Sequence, residues 1–262
     1  MRLDGSVALV TGASSGIGRC VTLTLARRGC RMLVHGRDPC RTREVARRAG
    51  GTPLVADLLT EEAPETLAAD AAAVHGRVDV LVCSAGAGLT APFCDLSVDD
   101  IERLIALDLT APVRLVRALL PGMVERDRGR VVLVSSVAGR VGVAGEAVYA
   151  AAKAGLDAFA GSLRLELHGT GVGVTTVVPG VVDTPFFDGR GGPPKRRLPR
   201  PVTPETVAES LVRAVAHDRD EVWVPGWLRV PPALRATAPG VFHRMSARFG
   251  EPTRIRRHRD TP

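Results

Sequence analysis

Val7-Ala8-Leu9-Val10-Thr11-Gly12-Ala13-Ser14-Ser15-Gly16-Ile17-Gly18 is an apolar run of strand length that opens into a glycine-rich turn. Residues 19–28 then keep a helical period through Val21, Leu25 and Arg28 and stop at Gly29. Strand, glycine-rich turn and helix is the order that a dinucleotide-binding turn requires. Gly12 would permit the tight turn. Gly16 and Gly18 would let backbone approach a pyrophosphate and the helix approach the strand. Ser14, Ser15 and Ile17 complete the turn. The helix N-terminus behind them offers free N–H groups and a partial positive charge to a diphosphate.

Working outward, further strands are expected at residues 31–35, 52–56, 78–83, 130–134, 173–178 and 221–225. Helical segments separate them at about residues 40–49, 62–75, 98–126, 149–168 and 204–216, the third with a break expected at Pro112. This alternation predicts an α/β fold: a single doubly wound, mostly parallel seven-stranded sheet with helices on both faces. The expected division is a main domain over residues 1–226 and a basic amphipathic extension over 227–262. Within the main domain, a structureless segment of this length at about 183–202 reads as a lid. It carries a basic cluster of Lys195, Arg196, Arg197 and Arg200.

Composition narrows the function classes. The chain has 262 residues, 45% hydrophobic and 24% charged, as expected of a globular protein with a sizeable core. No apolar run approaches the ~18 residues of a membrane span, and no signal pattern is seen, so a cytoplasmic location is expected. Five cysteines without a C-x-x-C pair argue against a disulfide framework, and scattered histidines against a metal site. A net charge of +7 could suggest nucleic acid. The arginines are dispersed, however, without a recognition motif, and no nucleic-acid partner is expected. The basic extension could lie on an anionic membrane, but a docked helix with a frayed tail is the favoured reading.

Candidate site residues fall at strand ends. The second strand runs into Gly36 and Arg37, with no carboxylate until Asp38. A small residue followed by arginine suits a 2′-phosphate, which favours NADP(H) over NAD. Asp57, followed by Leu58, lies just past the third strand, where it could accept from an adenine amino group. Ser84, Ala85 and Gly86 after the fourth strand would let the chain pass close to a flat ligand. Asp108 is an acid among apolar neighbours, and Ser135-Ser136 ends the fifth strand. Tyr149 is the only tyrosine, and Lys153, four residues on, is one of two lysines among 35 basic residues. On a helix, positions i and i+4 share a face. Arginine cannot replace a compact ammonium that must sit beside a phenol.

The glycine-rich turn, the thirteen-residue interval from Ser136 to Tyr149, Tyr149-x-x-x-Lys153 and Pro179-Gly180 resemble the short-chain dehydrogenase/reductase family over about residues 4–225. The resemblance implies a Rossmann-type sheet, a nicotinamide cofactor and a Ser136-Tyr149-Lys153 site. Tyr149 would be the general acid/base and Ser136 would hold the substrate oxygen. Lys153 would bind the nicotinamide ribose and ease proton release from the phenol. Asp57 would contact adenine and Arg37 the 2′-phosphate. Pro179, Gly180, Val182 and Thr184 would border the cofactor, with Thr184 on the carboxamide. Two positions depart from the family pattern. Cys83 replaces an asparagine that braces backbone, and Asp108 replaces one whose carbonyl holds a water in a proton relay; a carboxylate there adds charge near Lys153 and could raise its pKa.

The implied activity is an NADP(H)-dependent oxidoreductase interconverting a carbonyl and a secondary alcohol. The alternative is a catalytically weakened cofactor-binding scaffold or sensor of the same fold. The basic lid hints at an anionic or carrier-bound substrate, although a solvated loop explains it as well. By analogy with the family, a homodimer or homotetramer is expected.

Overall fold

In the computed structural model, which describes residues 1–190 and 200–249, seven strands form one parallel sheet in the order β3-β2-β1-β4-β5-β6-β7. The elements run β1 (Val7–Thr11), α1 (Gly16–Arg27), β2 (Arg31–Gly36), α2 (Pro39–Ala49), β3 (Thr52–Val55), α3 (Ala63–His75), β4 (Val80–Cys83) and α4 (Val98–Ile105). They continue with α5 (Ala111–Glu125), β5 (Gly129–Val134), α6 (Val137–Val141), α7 (Ala147–Glu166), β6 (Val172–Pro179), α8 (Pro204–Ala216), β7 (Glu221–Val224), α9 (Val230–Thr237) and α10 (Pro239–Phe249). The expected seven-stranded, doubly wound architecture is the one observed.

Continuous apolar runs are what a strand covered on both faces needs, and β1, β4 and β5 are buried at every residue. Val21 and Leu25 of α1, Val45 of α2 and Leu211 of α8 fill one face with Val10, Val34 and Val132. Leu67 of α3, Leu115 of α5 and Leu156 of α7 fill the other with Leu9, Leu33 and Leu81. Strand order reverses between β1 and β4, so the loops beyond their carboxyl ends diverge and open a crevice there.

Three expectations are corrected. Residues 98–126 are not a helix broken at Pro112. A π-helical turn over Ala106–Thr110 joins α4 to α5, and the Ala111 N–H donates five residues back to the Ala106 carbonyl. Pro112 has no N–H to give to the Asp108 carbonyl four residues behind it, so the regular ladder cannot run through this point. The stretch after Ser136 is not all loop, because α6 forms there, N-capped by the Ser136 hydroxyl, which accepts from Ala138 N–H at 3.1 Å. The segment read as a structureless lid begins with a 3₁₀ helix, Pro185–Arg190, and its ends are pinned by a parallel bridge between Val182 and Val202. Lys195, Arg196 and Arg197 lie outside the described residues, as does the arginine-rich tail after residue 249. Arg200 is exposed.

Arg140 of α6 clamps the far side of the site. It pairs with Asp157 of α7 at 2.5 Å and Glu221 of β7 at 2.6 Å, and lies 5.3 Å from the centre of the Trp223 ring. Arg235 of α9 donates to the Arg140 carbonyl at 3.0 Å, which ties the C-terminal helices to this node. No helix among the described residues is long and apolar enough to cross a membrane.

Asp79, ahead of β4, stitches the sheet's opposite end. Its carboxylate accepts from the buried Val7 N–H at 2.9 Å, and its own N–H donates to the Val7 carbonyl at 2.8 Å. Asp79→Ala strands that buried amide, which costs about 1–3 kcal/mol. Thermal melts should show Tm lowered by about 2–10 °C. Asp79→Asn, which keeps an acceptor, should lose less.

Candidate active site

The crevice is built from strand ends. At β1, Gly12 adopts φ +66°, and a Cβ there would fall 2.7 Å from the Ala85 Cα; one on Gly18 would meet the Gly12 carbonyl oxygen at 2.3 Å. Bare backbone therefore forms the cradle in front of α1. Thr11 supplies a constraint that sequence reasoning missed. Its hydroxyl accepts from the N–H groups of Ser84 and Ala85, both at 3.1 Å, and fixes the exit of β4 against β1. No pattern in the sequence marks it, because its partners lie 73 and 74 positions away. Cys83 sits in the apolar core, and burial pushes its thiol up to about 12, so it is a neutral filler. The bracing that an asparagine was expected to give is supplied here by Thr11.

At β5 the chain delivers Val134, Ser135 and Ser136. Helix α7 turns Tyr149 and Lys153 inward from successive turns, with exposures of 7% and 5%. The Lys153 ammonium donates to the Val134 carbonyl at 3.1 Å and lies 5.7 Å from the centre of the Tyr149 ring. It is also 2.9 Å from Oδ1 of Asp108, presented by the π turn. Oδ2 of Asp108 accepts from the Ala87 N–H at 3.1 Å. Burial on its own would draw Lys153 down, but Asp108, Tyr149 and Asp157 outweigh it and the net direction is up. Ser135 turns away and donates to the Lys153 carbonyl at 3.4 Å. Ser136 opens α6, which packs so closely on α7 that a Cβ on Gly139 would lie 2.8 Å from the Ala154 nitrogen. Asp108, Ser136, Tyr149 and Lys153 are thus all held at the β4, β5 and α7 corner.

The turn after β6 closes over the glycine loop. Gly180 donates to the Val224 carbonyl at 2.9 Å, Val182 is buried, and the Thr184 side chain would be 3.3 Å from a Cβ on Gly16. Phe186, two residues on, brings its ring centre to 6.0 Å from that of Tyr149, and Phe187 packs edge-on against Phe186 at 5.7 Å. Ser14, Ser15, Gly16, Arg19, Arg41 and Asp183 share a cleft of about 440 Å³ beside this turn.

Arg37 and Asp57 are not part of the tyrosine cluster. They lie at the ends of β2 and β3, across the switch point, and pair with each other at 3.8 Å. The Asp57 carboxylate also accepts from the Leu59 N–H at 3.1 Å, while Leu58 is buried beneath. Nearby, His35 bonds the Ala56 carbonyl through Nε2 at 3.1 Å, and burial lowers it to about 4, so it is neutral. A Cβ on Gly36 would lie 2.5 Å from the Thr42 hydroxyl and 3.0 Å from Ser14 Cβ, so a side chain there would have to displace these neighbours. Asp38 is occupied in capping α2, accepting from Arg41 N–H at 2.9 Å.

Comparison with known proteins agrees with this fold. The short chain dehydrogenase family model matches residues 6–191. An uncharacterized oxidoreductase of Myxococcus xanthus is 38% identical over 92% of this chain and 96% of its own. The NADP-dependent 3-hydroxy acid dehydrogenase YdfG of Escherichia coli K12 is 36% identical over 78% of this chain and 87% of its own. The crystal structure of a Burkholderia phymatum short-chain dehydrogenase/reductase in complex with NAD superposes with a TM-score of 0.82, at 22% identity, over 98% of this chain and 99% of the other. The chain belongs to the short-chain dehydrogenase/reductase family and is an oxidoreductase.

Proposed function

We propose that the chain interconverts a carbonyl and a secondary alcohol with NADP(H), with Tyr149 as the general acid/base. The observation that carries this reading is the burial of the chain's only tyrosine one helical turn from a charged lysine, at the carboxyl end of β5. The nicotinamide cofactor supplies or accepts the hydride. The bare-backbone cradle at Gly12 and the free N–H groups of α1 suit its diphosphate. In the direction of reduction, Tyr149 gives its phenolic proton to the substrate oxygen as negative charge develops there. Ser136 would hydrogen-bond that oxygen, and Thr184 and the Pro179-Gly180 turn would hold the nicotinamide. Lys153 keeps a positive charge close to the phenol, and its ammonium, which donates to the Val134 carbonyl and pairs with Asp108, would also donate to the ribose.

Preference for NADP(H) rests on the adenosine end. Gly36, crowded by the Thr42 and Ser14 side chains, carries no carboxylate to accept from a 2′-hydroxyl, and Asp38 is committed to its cap. Arg37 and Arg41 stand at that corner in loose, exposed pairs with Asp57 at 3.8 Å and Asp38 at 3.6 Å, from which either guanidinium can turn to a phosphate, and a relative 36% identical is named as NADP-dependent. A homo-oligomer acting on a small-molecule substrate is the expected working form.

With NADPH and a panel of ketones and 3-oxo acids, oxidation followed at 340 nm should show turnover. Tyr149→Phe should lower kcat by about 100- to 10,000-fold with cofactor affinity retained; equal rates for the two proteins would remove Tyr149 from its role. Fluorescence titration of Arg37→Glu should show the Kd for NADPH raised about tenfold or more, with that for NADH changing far less.

A further inference from the structure

Lys153 is one of the few charged side chains buried among the described residues, and its counter-charge is specific. Asp108 has no exposed surface and reaches the ammonium with Oδ1 at 2.9 Å, while its Oδ2 takes the Ala87 N–H. Gly86 covers the pair: a Cβ there would lie 2.6 Å from Asp108 Oδ1 and 3.5 Å from Lys153 Nζ. The carboxylate therefore joins three separate pieces of the site, namely the π turn, the loop after β4 and the catalytic face of α7.

We propose that Asp108 is a positioning residue for Lys153. Its carboxylate fixes the ammonium between the Val134 carbonyl and the Tyr149 ring, keeps it charged, and registers it against the β4 exit loop. The proposal deepens the reading of Lys153 as a working part of the site, but its decisive test needs no turnover. The groups facing Lys153 are Asp108 from the π turn, Tyr149 and Asp157 from α7, and Cys83 from β4. Cys83 is a neutral thiol, and Asp157 is already paired with Arg140. Asp108 is accordingly the strongest charge acting to keep the lysine protonated against its burial.

The sign follows directly. An ammonium whose pKa is raised stays charged to higher pH. Without the Asp108 charge, burial dominates and the proton leaves at lower pH. Because the chain has only two lysines, a Lys195→Arg background grown with ε-¹³C-lysine gives a single lysine resonance, that of Lys153. In that background its half-titration should lie above the ordinary 10.5. In the Asp108→Asn variant it should lie at least one pH unit lower, a tenfold or greater change in proton affinity.

Equal half-titration points in the two proteins, or a value below 10.5 with Asp108 intact, would overturn the proposal. The second outcome is readable even if Asp108→Asn does not fold. With NADPH and a substrate, Asp108→Asn should also lose more activity on the alkaline side than at neutral pH. Uniform loss at every pH would mark a structural role alone and would overturn the proposal. Absence of turnover in both proteins with the resonance shifted would instead count against the proposed function and leave the positioning role standing.

Discussion

An ammonium sealed at the carboxyl end of a parallel sheet has to meet an opposite charge or lose its proton, and much of this site follows from how that demand is met. The Coulomb attraction of a charge pair near 3 Å grows steeply as water is excluded, but so does the cost of leaving either partner alone. Asp108 can reach Lys153 because the chain makes a π turn at residues 106–110, and the turn is in place because Pro112 cannot continue the α-helical ladder. Once Lys153 is held, Tyr149 on the preceding turn of α7 has little freedom, since α6 and the Arg140 clamp fix the helix from its other side. A helix defect, a charge pair and a phenol are therefore linked in one chain of constraints.

Much of this was legible in the sequence. Continuous Val-Leu-Ala runs at regular spacing leave few alternatives to a buried parallel sheet, and the Gly12–Gly18 turn fixes where its crevice opens. Tyr149 and Lys153 share a face by helical period alone, and the structure brings Ser136 and Asp108 to the same corner. What the period could not convey is the direction of a side chain from another element. The charge that Asp108 adds near Lys153 was expected, but the direct approach of its carboxylate to the ammonium depends on the π turn, which the sequence does not announce. Thr11 escaped notice because a hydroxyl at a strand end looks like an ordinary turn residue until its partners, 73 and 74 positions away, are known. Helix α6 was missed because glycine at 139 and 142 weakens helical propensity, and only the Ser136 cap and packing on α7 compensate.

The adenosine end obeys different electrostatics. Arg37 and Asp57 are 66% and 38% exposed and meet at 3.8 Å, so their attraction is screened and weak. Such a pair can part without leaving a buried charge behind. An arginine that is loosely held in this way can turn to a stronger anion, and a phosphate dianion is one. The crevice thus combines a rigid, buried charge pair beside the tyrosine with an adjustable, solvated one across the switch point.

The aromatic residues make a related distinction at the substrate side. The chain has only nine, and three of them, Tyr149, Phe186 and Phe187, form one contiguous stack. The two phenylalanines belong to a segment whose ends are joined by the Val182–Val202 bridge, so their position is set from outside the sheet and not by α7. Half-buried apolar rings beside the phenol lower the local polarity, which strengthens the electrostatic contacts around it.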